Sequence, residues 1–196
     1  MVAKLRVQNI VLLIFCLYAL SGCSASQDNE ELLDAFLAGE IPAIYNNENE
    51  TIIMYDQLPH DEDDWECYSV GERIDLDNDG EVEQIVNGPY GGMYFDARDG
   101  KVYVLAAGEG TAEVLSYTDY DNATWIVYAD TLHGGRQLYW LERHDGGGNI
   151  VDEFRLEAEY WDSTDFKYHE DSDFTYRDEK ISMSEYEELR KEILGW

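Results

Sequence analysis

Residues Ile74 to Val86 read I-D-L-D-N-D-G-E-V-E-Q-I-V. Asp75, Asp77 and Asp79 alternate, Gly80 follows, and Glu83 stands eight positions after Asp75. Carboxylates at alternate places of a curling loop converge on one point, and an all-oxygen set of this kind suits a hard divalent cation. Gly80 supplies the positive φ that the sharp turn needs without steric cost. The backbone carbonyl of Glu81 fills the seventh place, and Glu83 fills the ninth, directly or through a water. The candidate ligand set is therefore Asp75, Asp77, Asp79, Glu81 and Glu83. A helix–loop–helix calcium site needs a bidentate Glu at the twelfth place, where this chain has Val86. The flanks Arg73–Leu76 and Val82–Val86 favour strands. The loop is expected to join two strands and to hold structural calcium. Magnesium fits less well, because it keeps its waters and demands a stricter octahedron. The plain alternative is an acidic hairpin turn, since Asp, Asn and Gly are ordinary turn residues. Without a cation, however, three acids at close range repel one another at a cost in stability.

Other chemistry is sparse. His60, His133, His144 and His169 lack zinc spacing, and no G-x-S-x-G nucleophile motif is present. Cys67 lies in Trp65-Glu66-Cys67-Tyr68, among acids that raise a thiol pKa, and reads as a packed small hydrophobe. With 43 acidic residues, some pair of carboxylates is always close, so a pair alone does not mark a glycosidase. No catalytic residue is expected. The aromatics Tyr90, Tyr94, Phe95, Tyr139, Trp140, Tyr160, Trp161 and Tyr168 offer a competing role. Exposed on a sheet face, they would stack on a glycan or anchor a protein partner. Neighbours such as Tyr139 and Trp140 must point to opposite faces of a strand.

The start of the chain carries an address. Lys4 and Arg6 precede an apolar run from Ile10 to Leu20, which has the length of a signal-peptide core and is too short to span a bilayer. It ends in Leu20-Ser21-Gly22-Cys23, which resembles a bacterial lipobox. That resemblance implies cleavage before Cys23, a diacylglyceryl group on its thiol, and an extracytoplasmic protein anchored to the cell membrane. Removing residues 1–22 leaves 11 basic against 43 acidic residues, a formal charge of −32. Such a body is repelled by anionic lipid and excludes nucleic acid as a partner. Cys16 leaves with the signal and Cys23 is lipidated, so Cys67 has no partner for a disulfide.

These sites need elements to hold them. The division expected is residues 1–22 as signal, 23–27 as lipidated Cys and tether, and 28–196 as a single β-rich domain. Asp28 or Asn29 caps a short helix whose face is Leu32, Leu33, Phe36 and Leu37, with Gly39 just past its end and Pro42 blocking continuation. Thr51–Tyr55 reads as a first strand. From Ser69 onward apolar alternation and turn residues recur. Strands fit Arg73–Leu76, Val82–Val86, Met93–Asp96, Val102–Ala106, Glu113–Tyr117, Trp125–Ala129, Gln137–Glu142 and Ile150–Tyr160. Asp79-Gly80 and Asp99-Gly100 are hairpin-type turns. A second helix follows Ser182, where Ser182 and Glu185 form a capping box and Tyr186, Leu189, Ile193 and Leu194 form one face. The fold class expected is mainly β, an antiparallel meander of about seven to nine strands, barrel-like or in two layers, with one short helix at each end.

The acidic loop resembles the D-x-[DN]-x-D-G-x-x-[DE] loops of FG-GAP/VCBS-type β repeats, in which calcium sits between two strands. Asn78 stands where Gly is frequent, and Glu83 where Asp is common. The chain as a whole resembles a broad group of small lipoproteins of gut-type Firmicutes. The resemblance rests on the lipobox, on Phe36-Leu37-Ala38-Gly39-Glu40-Ile41-Pro42-Ala43, on the single acidic loop, on Asp99-Gly100-Lys101-Val102 and on Ile181-Ser182-Met183-Ser184-Glu185-Tyr186-Glu187. It implies architecture and location and says nothing of an activity.

Overall fold

The structure, a computed structural model, describes residues 28–45 and 51–195. The signal segment, Cys23 and the tether to residue 27 lie outside the described residues. Helix α1 covers residues 28–37. Asp28 and Asn29 are inside this helical run and not in front of it, which corrects the expected cap by a residue or two, the usual uncertainty of a helix end. Gly39 closes the helix as expected. It takes a φ of 72°, and Glu40 N–H donates to the Ala35 carbonyl.

The strands are β1 (Ala43–Tyr45), β2 (Ile52–Ile53), β3 (Ser69–Ile74), β4 (Glu83–Asn87), β5 (Met93–Arg98), β6 (Lys101–Ala107), β7 (Val114–Tyr120), β8 (Ala123–Asp130), β9 (Arg136–His144), β10 (Ile150–Glu159), β11 (Asp173–Tyr176) and β12 (Glu179–Ile181). Helix α2 (Met183–Leu194) ends the chain. They form two six-stranded sheets, ordered β2-β1-β6-β5-β4-β3 and β12-β11-β10-β9-β8-β7. Each is a meander of antiparallel neighbours, apart from the parallel pair β1 and β6. The two-layer form of the expected meander is the observed one, and there is no closed barrel. Among the described residues the strands exceed the expected number by β1, β11 and β12, each three or four residues long, while β2 keeps only the middle of the expected Thr51–Tyr55 strand because Tyr55 enters a short 3-10 turn. Elements that short show no alternation to read.

Alternation sorts the side chains into three apolar layers. In β4 and β5, Val86, Met93, Phe95 and Ala97 face α1, where they meet Leu33 and Phe36. The Phe36 and Phe95 rings lie 4.5 Å apart. On the opposite face, Ile85 and Tyr94 meet Leu115 and Ile126 of the second sheet. On the far side of that sheet, Trp125, Val127, Tyr139, Leu141, Phe154 and Leu156 pack under Tyr186 and Ile193 of α2. The order is helix, sheet, sheet, helix. A bulge at Leu105 lets Leu105 and Ala106 both face the inter-sheet layer, while Val104 and Ala107 face α1. No helix among the described residues is long and apolar enough to cross a membrane. The α2 capping box forms as expected: Glu185 N–H donates to Ser182 Oγ at 3.3 Å, and Ser182 N–H donates to Glu185 Oε2 at 2.8 Å.

Candidate metal centre

The chain leaves β3 at Ile74 and enters β4 at Glu83, so the acidic loop does join two strands. Leu76, fully buried in the inter-sheet layer, pins the start of the loop. From there the carboxylates organise the backbone by Asx-type bonds. Asp75 accepts N–H bonds from Asn78 at 2.7 Å and Gly80 at 3.0 Å. Asp77 Oδ1 accepts from Asp79 N–H at 3.2 Å, and Asp79 Oδ1 accepts from Glu81 N–H at 2.7 Å. Gly80 takes a φ of 90°, the positive value expected there. Glu83 reaches back from β4, and its Oε2 accepts from Leu76 N–H at 2.5 Å and Asp77 N–H at 3.3 Å.

These bonds bring Asp75, Asp77 and Glu83 together. One carboxylate oxygen of each lies within 4.8 Å of the others. Oxygens that share an ion at 2.3–2.6 Å stand no more than about 5 Å apart, so the spacing fits a common cation of calcium size. Asp77 and Glu83 are each only 1 % exposed. Asp77 Oδ2 is buried and has no hydrogen-bond partner. An orphaned buried carboxylate oxygen is costly, and a bound cation is one of the few things that satisfies it. Asp79 and Glu81 stand outside the converging triad. The Asp79 carboxylate lies against Gly146 in the β9–β10 turn, where an added Cβ would come within 2.5 Å of Oδ2.

The electrostatics describe a site starved of positive charge. Burial, reinforced by Asp79 and Asp96, pushes the Asp77 carboxyl up to about 7. Burial also pushes Glu83 up to about 9, against the lowering effect of its bond from Leu76 N–H. Asp96 on β5 belongs to the same field. The register that pairs Gln84 with Phe95 sets it beside Glu83, it is 4 % exposed, and burial raises its pKa although Arg98 pairs with it. Asp96 is absent from the ligand set read from the sequence. Alternation in Met93-Tyr94-Phe95-Asp96-Ala97-Arg98 puts Asp96 on the same face as Tyr94, but only the pairing of β4 with β5 sets it beside Glu83.

The loop also binds the second sheet. Thr124 N–H at the start of β8 donates to Asn78 Oδ1 at 2.8 Å, and Asn78 Nδ2 donates to the Thr124 carbonyl at 3.1 Å. Asn78 stands at a φ of 68°, which Asn tolerates better than most residues. Its amide thus does a job that Gly at this place could not. The histidines remain scattered, each beside its own oxygen partners: His60 at the Tyr55 and Tyr68 carbonyls, His133 at Asp130, His144 at Glu142 and His169 at Asp165. Cys67 is half-buried, with Sγ 3.7 Å from the Tyr68 carbonyl. Compared with protein-family models, curated proteins and solved structures, the chain matches none.

Proposed function

We propose that the chain is a lipid-anchored, extracytoplasmic bacterial protein of non-enzymatic type whose β domain is held by one structural calcium ion. Asp75, Asp77 and Glu83 are its carboxylate ligands, with the Glu81 backbone carbonyl adding a further oxygen and Asp79 turned away toward Gly146. The observation that carries this reading is the buried, unpartnered Oδ2 of Asp77 beside a second buried carboxylate. Ionising both acids near neutral pH calls for a cation, and the described residues offer them Arg98 only at one remove, through Asp96. Calcium is millimolar outside cells, which suits even a weak loop site. The anchor is Cys23, read from the lipobox-like sequence. The test is thermal melting of the unlipidated chain from residue 24, in EDTA and in millimolar calcium. Ligand that binds only the folded state raises the midpoint. A rise of several degrees with calcium and a smaller one with magnesium is expected. Equal midpoints in both buffers would reduce the loop to an acidic turn.

A second reading has an observation in its favour. Trp65 is 68 % exposed and meets the half-exposed Tyr90 edge-on, with centroids 6.2 Å apart, beside the Gly88–Gly92 turn. Such a pair suits a glycan or a protein partner docking at the cell surface. Tyr94, Phe95, Tyr139 and Tyr160 are buried and take no part in that surface.

A further inference from the structure

The second sheet is wider than the layer it shares with the first. β7 and β8 meet the first sheet through Leu115, Ile126 and their neighbours. β9 instead presents Trp140 and Glu142 beside the edge where β1 pairs with β6, and a cleft of about 390 Å³ opens there. That volume lies in the usual range for small-molecule sites. Tyr128 and Trp140 form its wall on the second sheet, with rings 5.8 Å apart and tilted by 41°. Trp140 already holds one cation on its ring, the Arg155 guanidinium at 5.4 Å from the centroid.

Negative charge surrounds these rings. Glu109 and Glu113, in the turn between β6 and β7, stand at the rim, and Glu142, 5 % exposed, lies deeper. All three bear on the Tyr128 hydroxyl, whose pKa is pushed up by burial first and then by Glu142, Glu113 and Glu109. Among the described residues, neither Glu109 nor Glu113 has an ion-pair partner. The partner of Glu142 is His144 at 3.2 Å, whose own Nδ1 is buried without a hydrogen bond. Arg98 is the cation on the described wall, and Asp96 already pairs with it.

We propose that this cleft binds an aliphatic organic polycation, a methylene chain carrying two or more ammonium groups. Ammonium groups pair with the exposed Glu109 and Glu113 at the rim and with the buried Glu142, where burial limits screening by salt. The methylenes lie along Tyr128 and Trp140, which also offer ring faces to the charge. An anion is repelled from such a cleft, and a neutral sugar leaves its carboxylates unneutralised. The cleft shares no ligand residue with the acidic loop, so the inference is independent of the calcium reading.

The experiment is a titration of the full chain, in non-ionic detergent at saturating calcium and physiological salt, with spermidine as probe. Tryptophan fluorescence and calorimetry are the readouts. Saturable one-to-one binding is expected, weakened about tenfold or more in the Glu109→Gln/Glu113→Gln double variant. It is expected unchanged in Glu187→Gln/Glu188→Gln, which removes the same charge from the exposed side of α2, on the opposite face of the second sheet. Trp140→Phe should remove the fluorescence change while calorimetry still detects weakened binding. Absence of saturable binding, equal weakening in both double variants, or tighter binding of a neutral oligosaccharide would overturn the proposal. Both double variants alter exposed side chains only, so folding is not at stake.

Discussion

Asp77 is buried with one carboxylate oxygen unpartnered, and replacing it by Asn separates two effects that a cation site combines. Asp77→Asn keeps the shape and removes a charge that is unfavourable when no metal is present. In EDTA the variant should melt above the parent, and in calcium it should gain little, so that the order of the two midpoints reverses between buffers. A variant that melts below the parent in EDTA and keeps its calcium shift would count against Asp77 as a ligand. The same residues set a pH dependence whose sign follows from linkage. Asp77 moves from an ordinary 3.8 to about 7 and Glu83 from 4.5 to about 9, so between those values the folded state holds more protons than the unfolded one. Stability of the calcium-free protein therefore falls as pH rises, from about 4 to 7 through Asp77 and on to about 9 through Glu83. A tenfold change in proton affinity is worth about 1.4 kcal/mol, so the loss is at most on the order of 5 kcal/mol for each carboxyl. Calcium should flatten the profile, because ligand carboxylates release their protons when the metal binds. Melting at stepwise pH in EDTA and in calcium checks both statements, and a calcium-free midpoint that climbs from pH 5 to 8 would contradict them. Spacing alone made Asp75, Asp77 and Glu83 legible, because alternate acids before a Gly converge whenever the loop curls. Asp96 is close to them only through pairing of β4 with β5, a relation that no local pattern encodes.

The loop between β3 and β4 does two jobs, and its side chains divide them. Carboxylates face inward to the triad, while the Asn78 amide faces outward and takes both backbone groups of Thr124 on β8. Asn78→Gly keeps the positive φ and removes only the amide. Loss of two such bonds, with added freedom of the unfolded chain, should cost about 1–2 kcal/mol. For a chain of this size that lowers the midpoint by roughly 2–8 °C, in EDTA and in calcium alike, with the calcium shift itself retained. Ser182→Ala is the control on a distant element. It breaks the α2 capping box at a cost of about 1 kcal/mol and should leave the calcium shift unchanged. If Asn78→Gly abolishes the calcium shift, clamp and metal site act together. Strands β3 to β10 were legible to within a few residues because each alternates over five residues or more. The α2 cap was legible because it lies within four consecutive residues, Ser182 to Glu185. The pairing of β1 with β6 was not, since three residues of β1 carry no register and its partner is over fifty residues away.

At the scale of the whole molecule, the stacking order of helix, sheet, sheet and helix was only half legible. Alternation divides each strand's side chains between two faces, but does not say which face meets a helix and which the other sheet. That order emerges from the crossing between β6 and β7, which moves the chain from one sheet to the other and leaves α1 and α2 on opposite outer surfaces. The body so built carries a formal charge of −32 once residues 1–22 are removed. Anionic headgroups repel it, and a Debye length of about 8 Å at physiological salt does not reverse that sign. On the proposed reading, membrane attachment depends on the lipid at Cys23 and not on the charge of the β domain. Cys23→Ser should move the protein into the soluble fraction of a cell extract, while the parent stays with membranes at high salt and leaves them in non-ionic detergent. Calcium melting of the released variant should match that of the unlipidated chain, since the loop is far from the tether in sequence and bound within the domain. A Cys23→Ser chain that remains with membranes would mean that residues 10–20 stay in place as an uncleaved anchor. One that sediments only in calcium would mean that the ion bridges acidic protein to acidic lipid, and that the loop faces the membrane surface.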